Sequence, residues 1–324
     1  MNARFLTTAT LLGVLSGLLP AKAADPQLLS LVMPDAKVLA GVNVDQAKTS
    51  PMGQYVLTQI QAQGANHLQE LNAMTGFDPT RDLHEVLVAT NGSAKEQTGL
   101  FLARGNFDPA RIAAAATLKG VKPESYGGVT ILADDKGKGG IAFLNSTIVV
   151  GGDMANLKAA IDRQKTASNL PAAVLVRLNQ WSASQDAWAI TTVPPTSLVP
   201  AAGMPAIPGI GQQQPGQANA FTGIQYAAGG VKFGANVVVS AQAQAATAQD
   251  ATQIGDTLKL LASLAQMQAN GDPKILALAQ SLNVTTNGGL LNVTLSMPQD
   301  QLVGLLTPQK ATTQQKQARK KMYG

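Results

Sequence analysis

Residues 126–153, YGGVTILADDKGKGGIAFLNSTIVVGGD, contain the pattern that decides the fold class. Three short apolar runs are separated by turn residues, which predicts strands joined by tight turns. Asp153 follows the last run, and an aspartate at this position accepts backbone N–H groups at the start of a helix. The predicted strands are 129–132, 141–144 and 147–150, and the inward residues of the helix are Met154, Leu157 and Ile161.

The same mixture of strands and helices continues toward the N-terminus. Two apolar runs flank the loop NGSAKEQT, 91–98, which is a hairpin pattern. Ser50-Pro51 and Asp108-Pro109 each place a capping side chain before a proline that fits the first helical turn. Gly76 ends the first of these helices. The predicted strands here are 38–44, 85–90 and 99–104.

The second half of the chain repeats this order more loosely. Asn287-Gly288 lies between two apolar runs and is a strong hairpin signal. Six prolines and four glycines between 194 and 216 exclude a helix there. The predicted strands are 187–193, 222–227, 231–233, 236–242, 284–286 and 290–295, and the predicted helices are 249–268, a short helix opened by Asp272-Pro273, and 299–306.

These elements predict an α+β fold made of two related units. Each unit is expected to be a mostly antiparallel sheet with helices packed on one face. The predicted units are 24–166 and 167–309, and the second carries a Pro/Gly-rich insertion at 194–217. We interpret the insertion as an exposed loop between strands of the same sheet, because both flanks have strand character.

The N-terminus has the pattern of a secretory signal peptide, residues 1–23. Arg4 precedes an apolar run at 5–19, and Ala21-Lys22-Ala23 forms a small-x-small cleavage site. The apolar run is shorter than the roughly 20 residues that a spanning helix needs. We therefore expect cleavage after Ala23 and a periplasmic or extracellular protein.

The positive net charge of +5 comes from the two ends of the chain. Arg4 and Lys22 belong to the signal, and five basic residues lie in the tail 310–324. The region 24–309 therefore contains 17 basic and 19 acidic residues. This distribution gives no support to nucleic-acid binding. The tail is either a disordered, solubilising end or a weak contact to a membrane surface. The residues for such a contact are Lys316, Arg319, Lys320 and Lys321.

The composition lacks most reactive side chains. The chain has no cysteine, which excludes disulfides and thiolate sites, and His67 and His84 are its only histidines. The common nucleophile, zinc, EF-hand and phosphate-loop motifs are missing from the sequence. Asp134-Asp135 suits a turn better than a calcium site. We therefore expect no cofactor, no metal ion and no catalytic residue.

Two groups of residues are candidates for ligand binding. Trp181 and Trp188 are the only tryptophans; they either stack on a sugar or lie in the core near a strand entry. Phe-Asp-Pro-x-Arg occurs at 77–81 and again at 107–111. The aspartate and proline of this motif suit a helix start. The alternative is a charged cluster at a cleft, formed by Asp78, Arg81, Asp82 and His84.

Several stretches resemble a group of uncharacterised secreted bacterial proteins of the acidobacterial type. They are TGFDPTRDLHEVLVAT at 75–90, LARGNFDPARI at 102–112, the hairpin-rich stretch at 126–153, and the Ala-rich stretch at 241–265. The resemblance covers most of the mature chain, and its motifs are structural. It implies an exported α+β protein with two related units, and it implies no activity, ligand or functional residue.

The sequence favours a non-catalytic envelope protein that presents surfaces to a protein, or to a wall or membrane partner. One alternative is a ligand-binding module with a cleft between the two units. A second is a hydrolase that uses carboxylates alone, since paired acids are the acid–base device that this composition still permits. Buried tryptophans would weaken the ligand hypothesis, whereas an exposed apolar patch would favour a protein partner.

Overall fold

A computed structural model describes residues 23–93, 98–166, 168–194, 223–268 and 273–306. Within these residues, twelve strands form one continuous sheet in which every neighbouring pair is antiparallel. The strands are β1 (Val38–Asn43), β2 (Leu83–Thr90), β3 (Gly99–Gly105), β4 (Pro123–Tyr126), β5 (Val129–Ala133), β6 (Gly139–Phe143), β7 (Ile148–Asp153), β8 (Ala187–Thr191), β9 (Ile224–Lys232), β10 (Asn236–Ala245), β11 (Leu282–Asn287) and β12 (Leu290–Pro298).

Four helices begin at capping residues that the sequence predicts. Ser50, Asp78, Asp108 and Asp153 each accept a backbone N–H in the first turn of the helix that follows. Gly76 ends the long helix in a left-handed conformation. The helices are α1 (Pro26–Leu31), α2 (Val44–Thr49), α3 (Pro51–Thr75), α4 (Pro79–Asp82), α5 (Pro109–Leu118), α6 (Met154–Arg163), α7 (Ala172–Ser184), α8 (Ala248–Gln268), α9 (Pro273–Ser281) and α10 (Gln299–Leu306).

The two halves of the sheet have the same strand order. The first half contains β1-β2-β3-β7-β6, extended by β5 and β4, and the second contains β8-β9-β10-β12-β11. Strands β1 and β8, the first of each half, pair with each other and join the halves into one sheet. The predicted α+β class with a mostly antiparallel sheet is confirmed. The predicted boundaries at 24–166 and 167–309 remain a prediction.

Two apolar clusters cover opposite faces of the sheet. We call the face that carries Leu39, Leu87 and Leu102 the front face, where α1, α6 and α7 bury their apolar residues. We call the opposite face the back face. In the second half, the strand register places Val284 and Val293 on the back face. The second cluster covers it there. That cluster consists of Ile224, Ala245, Ala251, Ile254, Val284 and Leu291.

Strand β9 and helix α7 differ from the sequence expectations. Strand β9 is continuous where two strands were expected, because Gly229 and Gly230 stay paired with β8 and β10. Residues 172–184 form α7, which the sequence analysis left unassigned. The segment 195–222 lies outside the described residues, but β8 and β9 on its two sides do pair. That pairing agrees with the expectation that both flanks belong to one sheet.

None of the helices in the described part of the chain is both long enough and apolar enough to cross a membrane.

Candidate functional site

The back face of the first half is the candidate functional surface. Strand residues that face each other directly across a sheet lie on the same face. Following the register from β8 through β1, β2, β3 and β7 to β6 gives a continuous line of such residues, which we call the back-face row. It consists of Ala189, Ala40, Val88, Phe101, Gly151 and Ile141.

Every member of the back-face row is apolar, and its large members are incompletely covered. Val88, Phe101 and Ile141 retain 38%, 43% and 48% of their accessible surface, and Ala189 is also exposed. A solvated face of an antiparallel sheet normally carries polar side chains at alternate positions. Strands β2 and β3 lack that alternation here, so this part of the face is suited to contact with another apolar surface.

A second row lies beside the first and is better covered. Ala103 and Val149 are buried there, and Phe143 contacts Phe107 with ring centroids 5.7 Å apart. Phe107 in turn stacks on Phe77 at 5.2 Å. The apolar surface is therefore continuous between the exposed row and a packed aromatic cluster. The second row consists of Ala187, Val42, Val86, Ala103, Val149 and Phe143.

The charged cluster predicted at 78–84 forms only in part, and it stabilises a turn. Arg81 donates to both carboxylate oxygens of Asp82, at 2.7 and 2.6 Å. These hydrogen bonds lower the pKa of Asp82. Asp78 caps α4 and accepts hydrogen bonds from the backbone N–H and the hydroxyl of Thr80. The bond from the Thr80 hydroxyl is the main cause that lowers the pKa of Asp78. Both carboxylates are thus engaged in local structure.

His84 pairs with a different carboxylate. Its Nδ1 lies 2.9 Å from Oδ1 of Asp45, which begins α2. The side chains of His84 and Asp45 are 33% and 61% exposed, so the pair is in contact with solvent. His84 therefore pairs with Asp45 and not with Asp78 or Asp82, so the arrangement favours the structural interpretation over the alternative of one four-residue cluster.

Both tryptophans are buried, as the core interpretation expected. Trp188 lies in β8 with 6% of its surface exposed, and its indole covers Gly41 of the neighbouring strand. Trp181 is 7% exposed and lies in the last turn of α7, shortly before β8 begins. Trp188 has no open face for stacking, whereas Trp181 borders a cavity.

The cavity lies between α7, β10 and β12 and has a volume of about 210 Å³. Its polar strand residues are on the front face, since Gln242 faces Asn292 and Ser240 faces Thr294. Gln242 donates to Asn292 across the strands at 2.9 Å. All three elements belong to the second predicted unit, so the cavity is not a cleft between the units. It is lined by Gln180, Trp181, Ser184, Gln185, Ser240, Ala241, Gln242, Asn292 and Thr294.

The acidic residues considered for metal binding have structural roles. Asp134 accepts the backbone N–H groups of Lys136, Lys138 and Gly139, and these bonds, that of Lys138 first, lower the pKa of Asp134. Among the described residues, no group of three or more His, Asp or Glu side chains is placed to hold a metal ion.

Sequence reasoning missed the back-face row, and of the cavity residues it named only Trp181 as a candidate. The back-face row depends on register across six strands, although the lack of polar alternation in 85–90 and 99–104 was a usable signal. The cavity brings together residues more than 50 positions apart, from α7, β10 and β12. Gln, Asn and Ser residues that lie so far apart in the sequence form no recognisable motif.

Comparisons with known proteins establish the fold and no family. No family model matches the chain, and no curated protein matches it. Solved structures of TP0453 are similar in fold. Crystal form IV has a TM-score of 0.52 at 9% identity, covering 88% of this chain and 97% of that chain. Crystal form I has a TM-score of 0.51 at 9% identity, covering 87% and 98%. The likeness concerns the architecture alone.

Proposed function

We propose that the chain is a non-catalytic envelope protein that presents its back face to a protein partner. The observation that carries this proposal is the back-face row, which has no charged member and in which Val88, Phe101 and Ile141 are 38–48% exposed. Contiguous exposed apolar surface of this kind marks interaction sites.

The chemistry of the row favours a protein over a wall polymer. Interface cores between proteins are apolar and depleted in charge. The row and its covered neighbour have that composition, from Ala189 to Ile141 and from Ala187 to Phe143. A hydroxyl-rich polymer would leave its polar groups without hydrogen-bond partners against such a surface.

A photo-crosslinker at position 101 tests the proposal. The mature chain carrying a photoreactive phenylalanine analogue in place of Phe101 is illuminated in the native envelope, and the crosslinked peptide is identified by mass spectrometry. We expect one protein to be crosslinked through an apolar segment. In affinity capture without a crosslinker, the natural chain should recover the same protein, and Phe101→Gln should lose it while remaining folded.

Leu118→Gln is the matched control, because Leu118 is 85% exposed at the end of α5 and is not a member of the back-face row. It should capture the same protein as the natural chain. Equal capture by Phe101→Gln and by the natural chain would contradict the proposal. Turnover of a glycan or ester substrate by the purified protein would contradict its non-catalytic part.

Export remains part of the same proposal. The predicted cleavage leaves Ala24 as the first residue, and Ala24 is buried with its backbone nitrogen donating to Oγ of Ser182 at 3.1 Å. Mass spectrometry of the protein recovered from the envelope should give Ala24 as its N-terminus. Recovery of the chain from the cytoplasm with Met1 retained would refute the export.

We also propose a weak contact between the tail and an anionic membrane surface. Residues 310–324 lie outside the described residues, and this proposal rests on Lys316, Arg319, Lys320 and Lys321. Sedimentation with anionic vesicles should decrease when 310–324 is deleted and when salt is raised, because the attraction is electrostatic. Unchanged sedimentation after deletion would exclude this role.

A further inference from the structure

The two edges of the sheet differ in how they are protected. Strand β4 forms one edge; it is only four residues long, and it contains Pro123 and Glu124. Short strands, proline and charge are means by which folded proteins keep a sheet edge from pairing with other chains. Strand β11 forms the other edge, with six residues in regular register with β12. It contains neither proline nor a charged residue, so β11 lacks these protections.

Every second residue of β11 directs its backbone N–H and C=O away from β12. Asn287 and Leu290 close a two-residue hairpin turn, and such a closing pair exchanges both backbone hydrogen bonds. Alternation along the strand then leaves the backbone groups of Leu282, Val284 and Thr286 directed outward. Within the described part of the chain, β12 is the one strand beside β11, and no backbone hydrogen bond joins these groups to another described element.

Solvent reaches most of β11. Helix α8 packs over the back face of this strand, where a Cβ added to Gly255 would lie 3.1 Å from Cγ2 of Thr286. Four of the six residues of β11 are nevertheless exposed, and these are Asn283, Thr285, Thr286 and Asn287. The outer side of β11 is therefore accessible to a further strand.

We propose that β11 pairs with β11 of a second copy of this chain, in an antiparallel dimer with a twofold axis at Thr285. This pairing continues the sheet from one copy into the other and supplies partners for the outward backbone groups. The axis places Thr285 opposite itself, Asn283 opposite Asn287, and Val284 opposite Thr286. All of these pairs are uncharged, and the threonine and asparagine side chains on the front face can hydrogen-bond across the axis.

The composition around the edge favours a second copy as the partner. No charged residue occurs between Lys274 and Asp300, the stretch that contains β11 and β12. Two copies therefore meet at this edge without repulsion between like charges in the paired strands. A strand from another protein is selected by pockets for its alternate side chains. The cavity at β10 and β12 includes no residue of β11, so it offers no such pocket at the edge.

The difference between the two edges also limits the size of the assembly. If both edges were open, β4 of one copy could pair with β11 of the next, and such a contact would continue into a fibre. Pro123 and Glu124 oppose pairing at β4. Pairing of β11 with itself uses the open edge of both copies, so the assembly closes at a dimer.

Size-exclusion chromatography with light scattering tests the proposal on the purified mature chain. We expect a concentration-dependent equilibrium between monomer and dimer, with a dissociation constant of about 100 μM or tighter. Hydrogen exchange at the amides of Val284 and Thr286 should slow as the protein concentration rises, because these N–H groups gain acceptors only in the dimer. The amides of Asn283 and Thr285 face β12 and should change less.

Two variants connect the dimer to β11. Thr285→Lys places two lysines opposite each other at the twofold axis, and it should weaken the dimer about tenfold or more. Thr286→Pro removes an outward N–H and leaves the hydrogen bonds to β12 in place, so it should weaken the dimer as well. Thr130→Lys is the matched control, because Thr130 is exposed in β5, beside the protected edge. It should dimerise as the natural chain does.

Defined results would overturn the assignment. They are a monomer at all concentrations up to about 1 mM, or unchanged dimerisation in folded Thr285→Lys. Phe101→Gln separates this dimer from the proposed function of the back face and should dimerise normally; loss of the dimer in this variant alone would place the contact on the back face. Protection of Val284 and Thr286 only in the presence of envelope extract would assign the edge to another protein. If Thr286→Pro fails to fold, as judged by circular dichroism, Thr285→Lys still decides the question.

Discussion

At Asp82 one carboxylate fixes the turn that leads from α4 into β2. Only 7% of this residue is exposed, and its oxygens accept from the Arg81 guanidinium and from the backbone nitrogen of Asp78 at 2.8 Å. The same arrangement that sequence reasoning offered as a binding cluster is therefore a structural clamp. Asp82 is the last residue of α4 and directly precedes β2, and it holds this turn through bonds within the protein.

Asp82→Asn should lower the free energy of unfolding by about 1–2 kcal/mol, because it removes charge-assisted hydrogen bonds from a buried group. Since the pKa of Asp82 is lowered from its ordinary value of 3.8, the carboxylate stabilises the fold above that pH. This stabilisation is lost as pH falls through the folded-state pKa. Urea unfolding at pH 7 and near pH 2 measures both effects.

Asp45→Asn provides the comparison, because Asp45 makes an exposed side-chain contact with His84. Its effect should stay below about 0.5 kcal/mol at neutral pH. Equal losses in the two variants would contradict the clamp. A difference between the natural chain and Asp82→Asn that persists at the lowest pH would assign the effect to packing instead.

Gly41 is required by its aromatic neighbour. A Cβ at this position would lie 2.6 Å from Cζ2 of Trp188. Gly41→Ala should therefore destabilise the protein by about 1–3 kcal/mol, as other overpacked sites do. Gly151→Ala should cost little, because the nearest atom to its Cβ would be 3.4 Å away. Thermal unfolding followed by tryptophan fluorescence compares the two, and an unchanged Gly41→Ala midpoint would disprove the close contact.

Among the elements, α6 begins at a cap that also connects two strands. Asp153 accepts from the backbone of Asn156 and from the backbone of Gly99 in β3, each at 3.0 Å. Burial alone would raise the pKa of Asp153, but hydrogen bonds from Asn156 and Gly99 lower it overall. The Asp153 carboxylate thus connects the start of α6 to β3.

Asp153→Ala should cost more stability than Asp108→Ala. Loss of a helix cap costs about 1 kcal/mol, and the Gly99 nitrogen would lose its acceptor in addition. Asp108 caps α5 through the Arg111 nitrogen alone on an exposed turn. Denaturant midpoints of the two variants measure the difference, and equal midpoints would show that the bond to Gly99 contributes nothing.

Local elements were predictable because their signals are local. Capping residues, prolines and the Asn287-Gly288 turn specify where helices and hairpins begin, and β11 and β12 pair as that turn predicts. Helix α7 was missed because Pro171, at its N-cap position, supplies no capping side chain. The back-face row and the cavity were missed because they depend on strand order, which connects residues far apart in sequence.

At the scale of the whole molecule, the first apolar core needs the second half of the chain. Helix α7 and strand β8 contribute buried residues to the cluster that covers the front face. The same strand pairs with β1 along its length. The contributing residues beyond 166 are Leu170, Val174, Leu178, Trp181, Trp188, Ile190 and Ala228.

A chain truncated to 24–166 should therefore fail to fold as a stable monomer. It would lose these core residues and expose the β1 edge, which templates pairing with other chains. We expect aggregation or unfolding by size-exclusion chromatography and circular dichroism, whereas 24–309 should unfold in one cooperative transition. A monomeric, cooperatively folded 24–166 would show that the first half is independent.

The pairing of β1 with β8 also sets an order of events during synthesis. Strand β1 emerges from the ribosome well over a hundred residues before β8, and N-terminal segments generally begin to fold first. Until β8 has been synthesised, the edge of β1 that pairs with β8 has no partner strand. A nascent chain of this kind depends on a holding chaperone, or on slow early folding, to escape premature self-association.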